Sequence, residues 1–145
     1  MKWHISTLHI STRSKGLVAF TGQVNQQLRD WQVRQGMCFL FCPHTSASLT
    51  INENYDPSAR ADLETSLERL VPENASWYTH DLEGPDDATS HIRTMLTGSS
   101  LTIPIDEGQL TLGTWQGVYL FEHRSHPHGR EVWLRVLDMS LPTPG

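Results

Sequence analysis

The sequence predicts an α+β fold: a mainly antiparallel, two-layered β-sandwich-like sheet with two to three helices. Three observations predict it. Short β-favouring runs recur between turn residues, and they follow one another as hairpins in the C-terminal half. Few stretches carry apolar residues at helical spacing. The 145 residues suffice for one domain with a real core, expected over 1–138 with a tail over 139–145.

Trp3 to Ile10 mixes polar residues with Trp, Ile and Thr and reads as a strand. Lys15-Gly16 marks a turn, and Leu17 to Phe20 a second strand. Thr21-Gly22 opens a helix that carries Val24, Leu28 and Trp31 on one face, with Gly36 as its stop. Met37 to Cys42 is a short apolar run with paired Phe residues and reads as a buried strand, and Ser48 to Ile51 alternates as another. Asp56-Pro57 starts the clearest helix, because Asp caps well and Pro suits the first helical position. Its stripe is Leu63, Leu67 and Leu70, Pro72 ends it, and Glu64 and Glu68 read as a solvated face. Glu73 to Asp87 is loop-like. A short helix over 88–96 follows, with Ile92, Met95 and Leu96 as its buried face and Gly98 at its end. Leu101 to Ile105, a turn at Asp106-Glu107-Gly108, and Gln109 to Leu112 form a hairpin. Gly113-Thr114-Trp115-Gln116-Gly117 interrupts the pattern, and its glycines suggest close backbone approach, a bulge or a ligand rim, or equally a twisted edge with Trp115 in the core. Val118 to Glu122 and Glu131 to Leu137 are the last strands, joined by a polar loop from Arg124 to Arg130.

Composition narrows the function. Hydrophobic residues make up 37% and charged residues 19%, which suits a globular chain. The net charge of −5 and scattered basic residues argue against nucleic-acid binding. No apolar run approaches the roughly 20 residues of a membrane span, and Met1-Lys-Trp-His-Ile lacks a signal-peptide core, so the expectation is cytoplasmic, without membrane partners. If Cys38 and Cys42 share a strand, their Cα atoms stand about 13 Å apart, too far for a disulfide.

No GxSxG elbow, Walker loop, GxGxxG or HExxH is present. Eight histidines remain as candidates. His4 and His9 read as surface residues without acidic neighbours, and His126-Pro-His128 as a hairpin tip. That leaves His44, His80, His91 and His123; His44 follows the most apolar run and opens a dense polar stretch, so it is read as the anchor of a metal or proton-transfer site that His80 and His91 complete. On spacing alone, a histidine placed like His91 is more often a satisfied core residue than a ligand.

The motifs resemble the YjbQ family. They are His44-Thr-Ser-Ala-Ser-Leu-Thr-Ile-Asn-Glu-Asn, His80 with Glu83-Gly84, Asp87 with Ser90-His91-Ile92, and Leu112-Gly-Thr-Trp-Gln-Gly followed by Glu122. The resemblance covers about Trp3 to Val136. It implies an α+β, sandwich-like homotrimer linked to a secondary thiamine-phosphate synthase activity. It also implies a divalent metal held by His44, His80 and His91, zinc by ligand softness, with Mg an option for a diphosphate substrate. The chain departs from the pattern at Arg130-Glu131, where relatives often carry paired basic residues, and at the longer hairpin of His126-Pro-His128.

On this reading an aminopyrimidine diphosphate joins a thiazole phosphate, and the metal assists departure of pyrophosphate. Glu53 or Asp87 acts as base or orients a ligand. Thr45, Ser46, Asn52 and Gln116 hydrogen-bond the small-molecule substrate, and Arg93, Arg124 or Arg130 meets phosphate. Two alternatives stand beside it: a metal-dependent hydrolase of another substrate, and a non-enzymatic trimer that binds a small ligand or metal.

Overall fold

The computed structural model describes residues 1–142. Two antiparallel sheets face each other. The larger is built from β1 (Lys2–Thr12), β8 (His128–Asp138), β3 (Gly36–Phe41), β5 (Ser100–Asp106) and β6 (Gln109–Leu110), in that spatial order. The smaller holds β2 (Gly16–Ala19), β7 (Gln116–Glu122) and β4 (Ala47–Glu53). Strand alternation sends Leu8, Ile10, Cys38, Leu40, Val132, Leu134 and Val136 inward from the larger sheet. They meet Ala47, Leu49, Val118 and Leu120 from the smaller one. Both cysteines are buried and unpaired.

Helix α1 (Thr21–Asp30) adds Val24 and Leu28 to this core. It ends at Asp30 rather than running on to Gly36. Gln32 takes the left-handed turn with φ 59°, and Gly36 instead opens β3. A Cβ at Gly36 would lie 2.0 Å from the Leu137 carbonyl oxygen, so only glycine fits there. Helix α2 (Pro57–Leu70) covers the outer face of the smaller sheet. Asp56 caps it, accepting a hydrogen bond from the Ser58 amide at 2.8 Å. Leu63 and Leu67 pack against Leu17, Tyr119 and Phe121, whereas Leu70 points to solvent at the helix end. Glu64 is no solvated residue: its carboxylate accepts the Leu17 amide on the edge strand β2 at 3.0 Å.

Helix α3 (Asp87–Thr97) departs most from the sequence pattern. Met95 and Leu96 face outward, 77% and 55% exposed, while Asp87, Thr89, Ser90 and Arg93 are buried. Polar contacts set this rotation. Thr97 donates to Ser48 at 2.5 Å, Ser48 Oγ lies 2.8 Å from His123 Nε2, and Arg93 donates to the Val71 carbonyl at 2.8 Å. The helix docks where the sheet presents hydroxyls and charges, so its polar face turns in. His4 is likewise buried, stacked on Trp31 with 4.7 Å between centroids and 3.0 Å from Asp138 Oδ2. Its acidic neighbour comes from a strand 134 residues away, which explains why the residues around His4 carry no hint of it. At the C-terminal end Met139 donates to the Gln35 carbonyl, and Ser140 accepts from the Arg34 amide at 2.7 Å, so the first two residues of the expected tail are held. Its last three residues, 143–145, lie outside the described range.

Candidate metal centre

Three side chains converge where the loop before α3 meets its first turns. Asp87 and His91 lie four residues apart on α3 and so share a face. His80 reaches in from the loop. Asp87 Oδ2 lies 2.7 Å from His80 Nε2 and 2.9 Å from His91 Nε2. The ligand-type atoms of all three lie within 4.8 Å of one another.

The orientation of His91 follows from hydrogen bonding. Its Nδ1 stands 2.7 Å from the Thr45 carbonyl, which can only accept, so Nδ1 carries a proton. Nε2 is then the nitrogen that holds either a second proton, shared with Asp87, or a cation. This second anchor is how metal-ligating histidines are usually fixed.

Asp87 is buried and anionic. Burial alone would raise its carboxyl, but hydrogen bonding with His80 and Glu83 and the positive charges of His91 and Arg124 outweigh it and hold it below the usual range. Arg124 donates to Asp87 Oδ1 at 2.6 Å, which leaves Oδ2 to the histidines. The same arginine donates to Asp86 Oδ2 at 3.2 Å and to the Glu83 carbonyl at 3.0 Å. Asp86, Asp87 and Arg124 together retain net negative charge beside the two imidazoles.

Two imidazole nitrogens and one carboxylate oxygen fit zinc with further positions open. They fit magnesium poorly, because that ion prefers oxygen ligands. The donor set differs from three histidines. His44 is engaged elsewhere: its Nε2 accepts the Glu131 amide at 2.8 Å. Burial, and then the charge of Arg130, push the His44 imidazole down from its ordinary value. It is therefore neutral, with its proton on Nδ1. His44 does line the cleft of about 730 Å3 that opens beside His91, together with Thr45, Phe41, Met95 and Trp133.

The remaining predicted residues divide into two groups. Arg130 is buried and ion-paired with Glu122, Nε to Oε1 at 2.8 Å, and it also donates to Ser46 Oγ at 2.9 Å. Thr12 donates to the same carboxylate at 2.6 Å, so Glu122 of the smaller sheet is tied to two strands of the larger one. Arg93 is buried against Val71, and Arg124 is held by Asp86 and Asp87. The expected phosphate-gripping arginines are thus turned inward, because buried carboxylates and carbonyls require partners. Glu53, Asn52 and Gln116 lie at the opposite end of β4 and β7, where Glu53 pairs in register with Gln116. Six strand steps from Ala47 put Glu53 about 20 Å from the end that anchors His91. Gly117 permits the close approach foreseen there, since a Cβ would meet the Asn54 side chain at 2.6 Å.

Sequence reasoning missed Asp87 as a donor equal to the histidines, although its i, i+4 spacing with His91 was a usable signal. Asp86 carried no such signal; Glu122 entered only as the end of a family motif, and His123 remained a candidate histidine with no place in the site. No helix among the described residues is long and apolar enough to cross a membrane.

Comparison with known proteins agrees with this architecture. The family described as UPF0047 protein YjbQ-like matches residues 6–139. The chain is 47% identical to UPF0047 protein sll1880 of Synechocystis over 92% of its length and 90% of the relative's. It is 44% identical to UPF0047 protein YjbQ of Escherichia coli O157:H7, covering 90% and 94%. Among solved structures it resembles the conserved hypothetical protein TT1486 of Thermus thermophilus, with TM-score 0.83, 36% identity and coverage of 91% and 99%. It also resembles a YbjQ-like protein of unknown function from Sulfolobus solfataricus, with TM-score 0.82, 25% identity and coverage of 94% and 99%. A match over nearly the whole chain, in sequence and in fold, places this protein in the UPF0047 family of YjbQ-like proteins.

Proposed function

We propose that this protein is a divalent-metal-dependent enzyme, with His80, Asp87 and His91 as the metal ligands and hydrolysis of a small molecule as its reaction. The observation that carries this reading is the fixed tautomer of His91: Thr45 holds Nδ1, and Nε2 is aimed at Asp87 and His80. Zinc is the ion that the donor set favours, and when bound it would polarise a substrate oxygen and acidify water. The chain supplies the rest. Arg124 fixes Asp87, so that one carboxylate oxygen faces the histidines. His44, neutral and protonated on Nδ1, serves as a hydrogen-bond donor at the cleft. Phe41, Met95 and Trp133 give the cleft an apolar wall suited to an aliphatic or aromatic part of the substrate.

A thiamine-phosphate synthase-like reaction is the second reading. The family likeness and the aromatic cleft wall favour it. Against it, Arg93, Arg124 and Arg130 are engaged inward, which would leave the phosphates to the metal. We carry a homotrimer and a cytoplasmic location as parts of the same proposal. Exposed aromatic residues on the larger sheet support the first, and two unpaired cysteines agree with the second.

Zinc-loaded protein should hydrolyse at least one member of a panel of phosphoesters, esters and amides, and Asp87→Asn should abolish that turnover. Turnover of the paired thiamine precursors without any hydrolysis would replace the first reading with the second. Failure to retain any divalent ion after gel filtration would sink both.

A further inference from the structure

Two histidines outside the candidate metal centre also stand together. His126 and His128 flank Pro127 where the turn after β7 enters β8, and their rings stack with 5.8 Å between centroids and 26° between planes. The turn is pinned on both sides. The Ser125 amide donates to Asp86 Oδ2 at 2.8 Å, and the His128 amide donates to Thr12 Oγ1 at 3.3 Å. Pro127 fixes its own φ between these anchors. This hairpin tip is therefore a held structure rather than a loose one.

Hydrogen bonding sets the tautomer of each ring. His128 Nδ1 lies 2.7 Å from the His126 carbonyl, which can only accept, so Nδ1 carries the proton. The Ser125 hydroxyl gives its one proton to Asp86 Oδ2 at 3.1 Å. Toward His126 Nδ1, 3.4 Å away, it can then only accept, so that nitrogen is protonated as well. Both rings are left with a lone pair on Nε2, and neither Nε2 has a hydrogen-bond partner among the described residues. Both rings reach solvent, His126 fully and His128 in part. The surrounding charge tolerates a cation. Asp86 and Asp87 share a single arginine, Arg124, while Glu122, 3.9 Å from His128 Nδ1, balances Arg130.

We propose that His126 and His128 form a second metal site, separate from His80, Asp87 and His91, which takes one late transition ion through the two Nε2 atoms with water in the remaining positions. An ion bonded to both at about 2.0 Å holds the nitrogens no more than about 4 Å apart, so the exposed rings close on it by tilting at their Nε2 edges. Two neutral imidazoles without a thiolate or carboxylate rank Cu(II) first, because affinity for nitrogen donors peaks at copper and its tetragonal geometry accepts two imidazoles and waters. Among the described residues no third histidine, cysteine or carboxylate joins this pair, so the ion stays open to solvent and exchangeable. The site needs nothing from the first centre.

The test is titration of metal-free protein with Cu(II), read by calorimetry and by electron paramagnetic resonance. His91→Gln disables the first centre and should still bind one copper, with the hyperfine pattern of two imidazole nitrogens. Adding His128→Asn, or His126→Asn, should weaken that binding at least tenfold, roughly the lower bound for disturbing a metal site, and leave the melting temperature of the metal-free chain unchanged. Undiminished copper affinity in these variants would overturn the proposal. So would a His91→Gln chain that binds no copper, or a spectrum that shows a single imidazole. A wild-type chain that holds only one copper, kept in His91→Gln and lost in His128→Asn, would support this site and count against the first centre alone.

Discussion

Asp87 and His91 lie one helical turn apart on α3, and Asp87 Oδ2 stands 2.9 Å from His91 Nε2 while also facing His80 Nε2 at 2.7 Å. Asp87→Asn keeps the shape and removes the charge. Zinc affinity should fall at least tenfold, roughly the lower bound for disturbing a metal site. Competition against a chromogenic chelator reads this directly, and unchanged affinity would remove Asp87 from the ligand set.

Because the His44 nitrogen Nε2 is engaged by the Glu131 amide, His44→Gln should keep zinc at the wild-type stoichiometry. His80→Gln and His91→Gln should lose it. Elemental analysis of the three purified variants separates this donor set from one built on three histidines. Metal loss in the His44 variant would restore the latter.

Glu122 and Arg130 form a buried ion pair between the sheets. Burial alone would raise the Glu122 carboxyl, but bonds from Arg130 and Thr12 bring it below its ordinary range. Arg130→Met leaves that carboxylate unpaired and should cost about 3–5 kcal/mol. Adding Glu122→Leu should recover part of the loss. Urea midpoints of the single and double variants measure both effects, and a single variant as stable as wild type would contradict the pairing.

His123 is almost fully buried, and desolvation, followed by the charge of Arg93, pushes it down to about 3. Its folded value lies below the unfolded value of about 6.5, so the unfolded chain binds the proton first. Stability should therefore be full above about pH 6.5 and fall below it by about 1.4 kcal/mol per pH unit. Asp86, Asp87 and Asp138, also lowered, add to the loss only nearer pH 4. Urea unfolding between pH 8 and 5 tests the sign. His44, also lowered by burial, adds to the fall in the same window, so His123→Gln should reduce the slope without abolishing it, and an unchanged slope would assign it to another group.

The strands were legible because alternation and turn residues are local signals. Asp106-Glu107-Gly108 is a hairpin turn, with φ 52° at Glu107 and 83° at Gly108, and Asp56-Pro57 starts α2 as the cap chemistry requires. The buried face of α3 was not legible. Apolar periodicity pointed to Met95 and Leu96, but the partners that turn the helix are Ser48, Arg124 and Val71, all distant in the chain. Local residue types point to His80 and His91 as partners, and the structure brings the Nε2 of each to the same Asp87 oxygen. His44 stands in the same kind of polar stretch, but the sequence carries no record of the Glu131 amide that engages it.

By itself the sequence determined the sandwich, its helices, its family and the neighbourhood of the candidate metal centre, since each depends on residue types at short spacing. Only the tertiary structure decided which side chains share a point in space. It put Asp87 between two imidazoles, closed Arg130 onto Glu122, and left Glu53 and Gln116 at the far end of the sheet. The physical reason is that ion pairs and ligand sets are fixed by distances of about 3 Å between atoms, and those distances follow from sheet register and helix rotation rather than from position along the chain.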